Sequence, residues 1–373
     1  MLIYWFLLLG SLVIGIPLCR IKYGREIFCG VSGVALFLTA AFRYDVGHDY
    51  NLYGSWYVNA QSMSMDEMMF ERPEKGYLIP MKLLSDVFAD YQTMFYVVAF
   101  ILTVGIMLYI YFYSERPYLS VFFFLTFGLF FNSMNFMRQM IAAVIMLYAL
   151  QYIKKKQFFR FLVLAVFAST FHLSALLLIP FYFIVMIPMN WVTLGVYGVI
   201  TALCYFFSFD LMEFATKFFY TNYKGLEHNI EVMNGMNPMY CLAFAVLFLI
   251  SFLVRKELVK KDSFNNVLLN YAFFNFFFEL MGVHHGILAR FSILFIIPAV
   301  VILFPQALVI TAEKAGSLFK GRKNAQTAAK AVTVTVVMAL CVGLYGYMIN
   351  NDYNGVSPYH SIFSSSEEAS ENG

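Results

Sequence analysis

Charged residues make up only 13% of the 373 positions, and they gather in short clusters between long apolar stretches. The first cluster is Arg43-Tyr44-Asp45-Val46-Gly47-His48-Asp49-Tyr50-Asn51-Leu52-Tyr53. It sets a cation, two carboxylates, an imidazole and three phenols where an apolar run ends, with Gly47 free to turn the backbone tightly. An aromatic belt with a snorkelling arginine would account for the tyrosines and Arg43. It leaves two aspartates flanking a Gly-His pair unexplained, and ionisable groups at membrane depth usually mark a site. A second cluster, Glu71-Arg72-Pro73-Glu74-Lys75-Gly76-Tyr77, reads in isolation as a solvated turn. It joins a site only if the loop folds back over the first.

In the third cluster, Asn132-Ser133-Met134-Asn135-Phe136-Met137-Arg138-Gln139-Met140 interrupts an otherwise apolar stretch. A short external turn would explain it, but Arg138 then opens a helix, where the dipole disfavours a cation. An anion beside Arg138 and the free helix N–H groups would repair that mismatch. The fourth is Thr170-Phe171-His172-Leu173-Ser174-Ala175. A lone histidine in apolar surroundings is commonly a structural residue, yet His172 titrates near neutral pH and could accept a proton from a sugar hydroxyl. The last cluster, Met281-Gly282-Val283-His284-His285-Gly286 with Arg290, lacks an acid or Cys at helical spacing, so no metal site is expected. Three arginines at the edges of different apolar runs, Arg43, Arg138 and Arg290, suggest a strongly anionic ligand such as a lipid-linked diphosphate.

The elements that position these residues must be membrane helices. Hydrophobic residues make up 61% of the chain, more apolar surface than a water-soluble fold can bury. A net charge of +3, dispersed along the chain, argues against a nucleic-acid partner. The five cysteines form no CxxC pair and lie in or beside apolar runs, which excludes a disulfide framework. Runs at 2–19, 27–42, 93–113, 118–134, 138–153, 158–172, 173–188, 191–209, 239–254, 264–281, 287–311 and 331–350 meet or approach the length of a span. That predicts an all-α bundle of twelve spans, or eleven if 158–188 is one tilted helix.

Placing Arg20, Lys22 and Arg25 in the cytoplasm puts most of the 25 Lys and Arg residues in short inside loops. Both termini are then external. So are two long loops, 43–92, in which Tyr77–Phe88 reads as an interfacial or re-entrant helix, and 210–238. Residues 1–350 are expected to form a single transmembrane domain, and the Ser- and Glu-rich tail 351–373 to be disordered.

Four of these motifs, in order, resemble the EpsG family of bacterial exopolysaccharide polymerases, relatives of the Wzy O-antigen polymerases. They are Arg43-x-x-x-Gly47-x-Asp49-Tyr50-x-x-Tyr53, Glu74-x-Gly76-Tyr77, Asn135-x-x-Arg138-Gln139 and Phe171-His172-x-Ser174-Ala175. The Arg290 region is a looser match, and His48 corresponds to no motif residue. The resemblance implies a GT-C-like glycosyltransferase in a bacterial inner membrane, joining undecaprenyl-diphosphate-linked oligosaccharides at the outer face. It implies no cofactor, neither nucleotide-sugar nor metal, and leaves room for a chain-length regulator as partner. Under it, Arg43, Arg138 and Arg290 hold the diphosphate, and His172 or Asp49 takes the acceptor proton. Tyr50, Tyr53, Glu74, Gln139 and Ser174 contact the substrate.

Rival readings are a lipid-linked glycan flippase or secondary transporter, an acyltransferase of surface glycans, and a non-catalytic assembly partner. Transporters place ionisable groups at mid-membrane and show repeated halves. Here the spans hold few charges, Glu279 being the main exception.

Overall fold

A computed structural model describes residues 1–71, 74–218, 237–319 and 321–364. Among them the regular structure is helical, apart from one isolated antiparallel bridge between Arg43 and Ser361. The chain divides into two compact units. One comprises Met1–Val144 with Cys341–Gly373, the other Ile145–Leu340. The sequence reading takes residues 1–350 as one domain, so this division is new.

In the first unit, α1 (Leu2–Leu18), α2 (Gly24–Ala41) and α6 (Gln92–Tyr113) are long apolar helices. Between α2 and α6 lie three helices of the expected external loop: α3 (Tyr50–Ser62), α4 (Met65–Phe70) and α5 (Lys75–Val87). Ser64 and Glu67 start α4 with a reciprocal capping box. Helix α5 covers most of the segment 77–88 that is expected to form an interfacial or re-entrant helix. Then come α7 (Pro117–Thr126), α8 (Leu129–Asn135) and α9 (Met137–Lys154). Pro117 opens α7, where its missing N–H costs nothing.

The run expected as one span over 118–134 is instead two helices bent by 60°. The bend sits at Gly128, whose φ of +67° an L side chain adopts only with strain. An added Cβ there would lie 3.1 Å from the Met348 sulfur and 3.2 Å from the Tyr353 ring.

The second unit holds α10 (Phe158–Ser169), a 3₁₀ turn (Leu173–Leu177), α11 (Leu178–Ile184), α12 (Trp191–Phe206), α13 (Ser208–Phe218), α14 (Pro238–Leu253), α15 (Arg255–Lys261) and α16 (Asn265–Gly282). After these come α17 (Gly286–Ala289), α18 (Ile293–Pro298), a π-helical turn (Ala299–Leu303) and α19 (Phe304–Ser317). Helix α20 (Lys323–Asn350) leads back to the first unit. Most of the loop expected over 210–238 lies outside the described residues, but its start is helical, in α13. Lys154 pairs with Asp262 at 2.7 Å, and Lys314 with Glu257 at 2.7 Å. Three loops assigned to one side by their charge therefore meet.

By length and composition, four described helices can cross a membrane, or up to seven if each bent pair is one span. The twelve runs overcount this measure because helix-breaking residues cut several into pieces. The chain is a multi-pass, all-α membrane protein. The tail departs from expectation. Residues 351–364 are ordered against the first unit, while 365–373 lie outside the described residues. Gly128→Ala is expected to cost about 1–2 kcal/mol, from the left-handed backbone and the close neighbours together. Thermal unfolding of the detergent-solubilised protein checks this.

Candidate functional site

Arg43 follows the last turn of α2 and is only 2% exposed. Its guanidinium donates to the carbonyl of Ala40 at 3.1 Å and to that of Met134 at 2.8 Å. Those carbonyls belong to the last turns of α2 and α8, so one cation caps two helix C-termini. The group also lies 4.7 Å from the Phe95 ring centre and 5.9 Å from that of Tyr50. Burial pulls its pKa down to about 10, opposed chiefly by Tyr50, and it stays protonated at neutral pH. Among the described residues no carboxylate pairs with it.

Tyr50 is equally built in. Its ring stacks on Phe95 at 4.4 Å, and its hydroxyl donates to Gln92 at 2.8 Å. Gln92 in turn donates to the carbonyls of Ala41 and Arg43. Arg43 and Tyr50, both expected to contact the substrate, are buried inside the unit, where their side chains tie its helices together.

Arg138 is the opposite case. It is the second residue of α9, where the helix dipole is unfavourable to a cation. Its side chain is 13% exposed and forms an ion pair with Glu74, itself 21% exposed. The loop carrying Glu74 thus does fold back over the site, and the protein supplies the anion that the sequence reading left to a ligand. Trp56 places its ring 5.1 Å from the Arg138 guanidinium, and Arg138 Nε has no hydrogen-bond partner. Tyr53 packs edge-on against Trp56 at 5.3 Å and against Tyr77 at 5.6 Å. Burial pushes the Tyr53 phenol up; the nearby Arg138 charge lowers it and Asp49 raises it further. Asp49, Tyr53, Trp56, Glu74, Tyr77 and Arg138 therefore surround one spot, and Gln139 lies buried beside it on α9.

Asp49 ends a turn that is held on two sides. Asn135 at the end of α8 accepts a long bond from the Asp49 N–H at 3.4 Å. Gly47, at φ +102°, passes so close to Asn135 that a Cβ would lie 3.0 Å from its oxygen. On the other side, the Gly47 N–H donates to the Gly355 carbonyl at 2.7 Å and the His48 N–H to that of Asn354 at 3.2 Å.

His172, Ser174 and Arg290 belong to the second unit. His172 is buried and caps the 3₁₀ turn, its Nδ1 accepting from the Ser174 N–H at 3.3 Å with the Ser174 hydroxyl at 2.8 Å. Arg290 is half-buried at the start of the 3₁₀ turn Arg290–Ser292, where Ser292 donates to Glu279 at 2.6 Å. The His284 and His285 rings lie beside Tyr205 and Phe209. Among the described residues no group of three His, Cys, Asp or Glu is placed to hold a metal.

Sequence reasoning missed Trp56 and Gln92, and it named Asn132 only as the start of the third polar cluster. Trp56 lies three residues after Tyr53, on the same face of α3, and that spacing was the available signal. Gln92 gave none, and nothing in the third cluster marked Asn132 as an anchor, because the partners of both lie far away in the chain.

The family model described as the EpsG family matches residues 26–361. No curated protein and no solved structure matches the chain. The chain belongs to the EpsG family.

If Glu74 is the anion that offsets Arg138, the two must be energetically coupled. A double-mutant cycle with Arg138→Met and Glu74→Leu is expected to give a coupling of about 1–3 kcal/mol. Denaturant unfolding in detergent checks it, and a coupling near zero would mean the pair is incidental.

Proposed function

We propose that this EpsG-family protein joins lipid-diphosphate-linked oligosaccharide repeats, acting as a polysaccharide polymerase at the outer face of the cytoplasmic membrane. The observation that carries this is the state of Arg138. It is a guanidinium at a helix N-terminus whose side chain is slightly exposed, balanced by a carboxylate from a loop and walled by Trp56 and Tyr53. Such a cation favours an incoming diphosphate, because phosphate oxygens accept bidentate guanidinium bonds and the helix end adds to the attraction. Aromatic rings beside it suit the apolar faces of sugar rings.

In the proposed reaction the growing chain is the donor. The bond between its anomeric carbon and the phosphate oxygen breaks, and the electron pair leaves with the lipid diphosphate. Arg138 stabilises the charge that builds there. A hydroxyl on the non-reducing sugar of the incoming repeat forms the new carbon–oxygen bond and loses its proton to Asp49. His172 is the poorer base. With Nδ1 accepting from Ser174, the neutral ring keeps its proton on Nε2 and has no free lone pair for a substrate. Arg43 serves by holding α2, α3, α6 and α8 in place. Tyr53, Glu74 and Gln139 remain the proposed substrate contacts.

The test is reconstitution of the purified protein in liposomes with a lipid-linked repeat, followed by sizing of the product. The wild type is expected to make ladders of joined repeats. Arg138→Ala should slow extension about 10²–10³-fold, and Asp49→Asn about 10²–10⁴-fold. His172→Asn should retain most of the rate. Full-length polymer from Arg138→Ala would overturn the mechanism. Translocated but unextended lipid would favour a flippase, and an acylated repeat an acyltransferase.

A further inference from the structure

The segment after α20 carries none of the motifs, and its composition reads as a solvated tail. Yet it touches the site at every turn. Its backbone accepts from the N–H groups of Tyr44, Gly47 and His48, through the carbonyls of His360, Gly355 and Asn354. Its Ile362 N–H donates to Phe42, and the Phe363 ring stacks on that of Phe42 at 5.5 Å.

Its side chains reach the other edge of the site. The hydroxyl of Tyr353 and the amide of Asn354 both donate to the Asn132 side-chain oxygen, at 3.2 and 2.8 Å. The geometry is specific, since Asp352, Asn354 and Gly355 all adopt positive φ. A Cβ on Gly355 would meet the His48 ring at 2.7 Å. Near its middle Val356 is fully buried, and its carbonyl accepts from Tyr4 at 2.7 Å.

We infer that residues 352–361 form a strap that positions the Gly47–Asp49 turn against the α8–α9 corner, with Asn132 as its anchor. The turn cannot hold itself. Gly47 and its neighbours lie between helices: the N–H groups of Tyr44, Gly47 and His48 donate to the strap, and that of Asp49 to Asn135. Asn132 ties the same strap to α8, which leads directly into α9 and Arg138. The distance between the Asp49 carboxylate and Arg138 is thus set from both sides by a segment remote in sequence. Asn132, Asn354 and Gly355 are positioning residues, acting through Asp49. The catalytic consequence rests on the polymerase reading, whereas the contacts do not.

The test pairs hydrogen exchange with kinetics, on the full chain, on a variant ending at Asn350, and on Asn132→Leu and Asn132→Asp, all in liposomes. Loss of the strap is expected to speed exchange at the Gly47 and His48 amides at least tenfold, with α2 and α6 still protected. Asn132→Leu, which keeps the chain intact, should lower kcat about tenfold or more with KM for the lipid-linked repeat little changed. Asn132→Asp keeps the acceptor oxygen and should restore the rate. Unchanged exchange at both amides in the shortened chain would overturn the strap. Faster exchange with unchanged kcat would overturn its positioning role. If the full chain extends no lipid-linked repeat, the polymerase reading falls, and exchange alone still decides whether the strap holds the turn.

Discussion

Just past the end of α2 sits a buried guanidinium that pairs with no carboxylate among the described residues. Arg43 is buried and charged, and an isolated buried cation costs several kcal/mol even after relaxation. It is tolerated because the ends of α2 and α8 both aim their unpaired carbonyls at it, with the faces of Phe95 and Tyr50 adding a weaker attraction. Two helix ends that would each leave carbonyls unsatisfied share one donor group. Gln92 completes the arrangement by capping the carbonyls that Arg43 leaves free. Everything at this end of the unit hangs from that arrangement, including the turn to Asp49 and the corner that leads into Arg138.

The contrast between the two arginines follows from helix polarity alone. Arg43 lies where helices end, and both its terminal nitrogens donate to backbone carbonyls. Arg138 lies where a helix begins, is repelled by the same dipole, and must be balanced by an anion. In the structure Glu74 provides it. A carboxylate delivered by a loop can be exchanged for a diphosphate in a way that a helix end cannot. That exchange is why the proposed diphosphate site is centred on Arg138.

Breaks in the helices serve the same end. Among the described residues, the α7–α8, α12–α13 and α14–α15 pairs are bent by 60°, 81° and 67°. Each break frees backbone groups that lipid cannot satisfy, so side chains or other segments must meet them. At Gly128 the bend lets α8 deliver Asn132 and Asn135 together to one corner. The C-terminal segment then fills the groove beside that bend, with Tyr353 against Gly128.

The sequence by itself determined the class of the protein, its family, and where along the chain the polar clusters fall. Those features are local: an apolar stretch must enter lipid wherever it occurs, and a motif is read without knowing its neighbours. Inside-loop charge likewise anticipated which loops meet, as the Lys154–Asp262 and Lys314–Glu257 pairs show. Tertiary structure decided the roles within the clusters. Arg43 and Arg138 look alike in sequence, yet which one is capped by helix ends and which pairs with a loop carboxylate depends on partners 91 and 64 positions away. The ordered tail was illegible for the same reason. A polar segment of low hydrophobicity has no intrinsic cause to fold, and it is fixed only because the α2–α3 turn and Asn132 offer hydrogen-bonding partners that exist once the helices have packed.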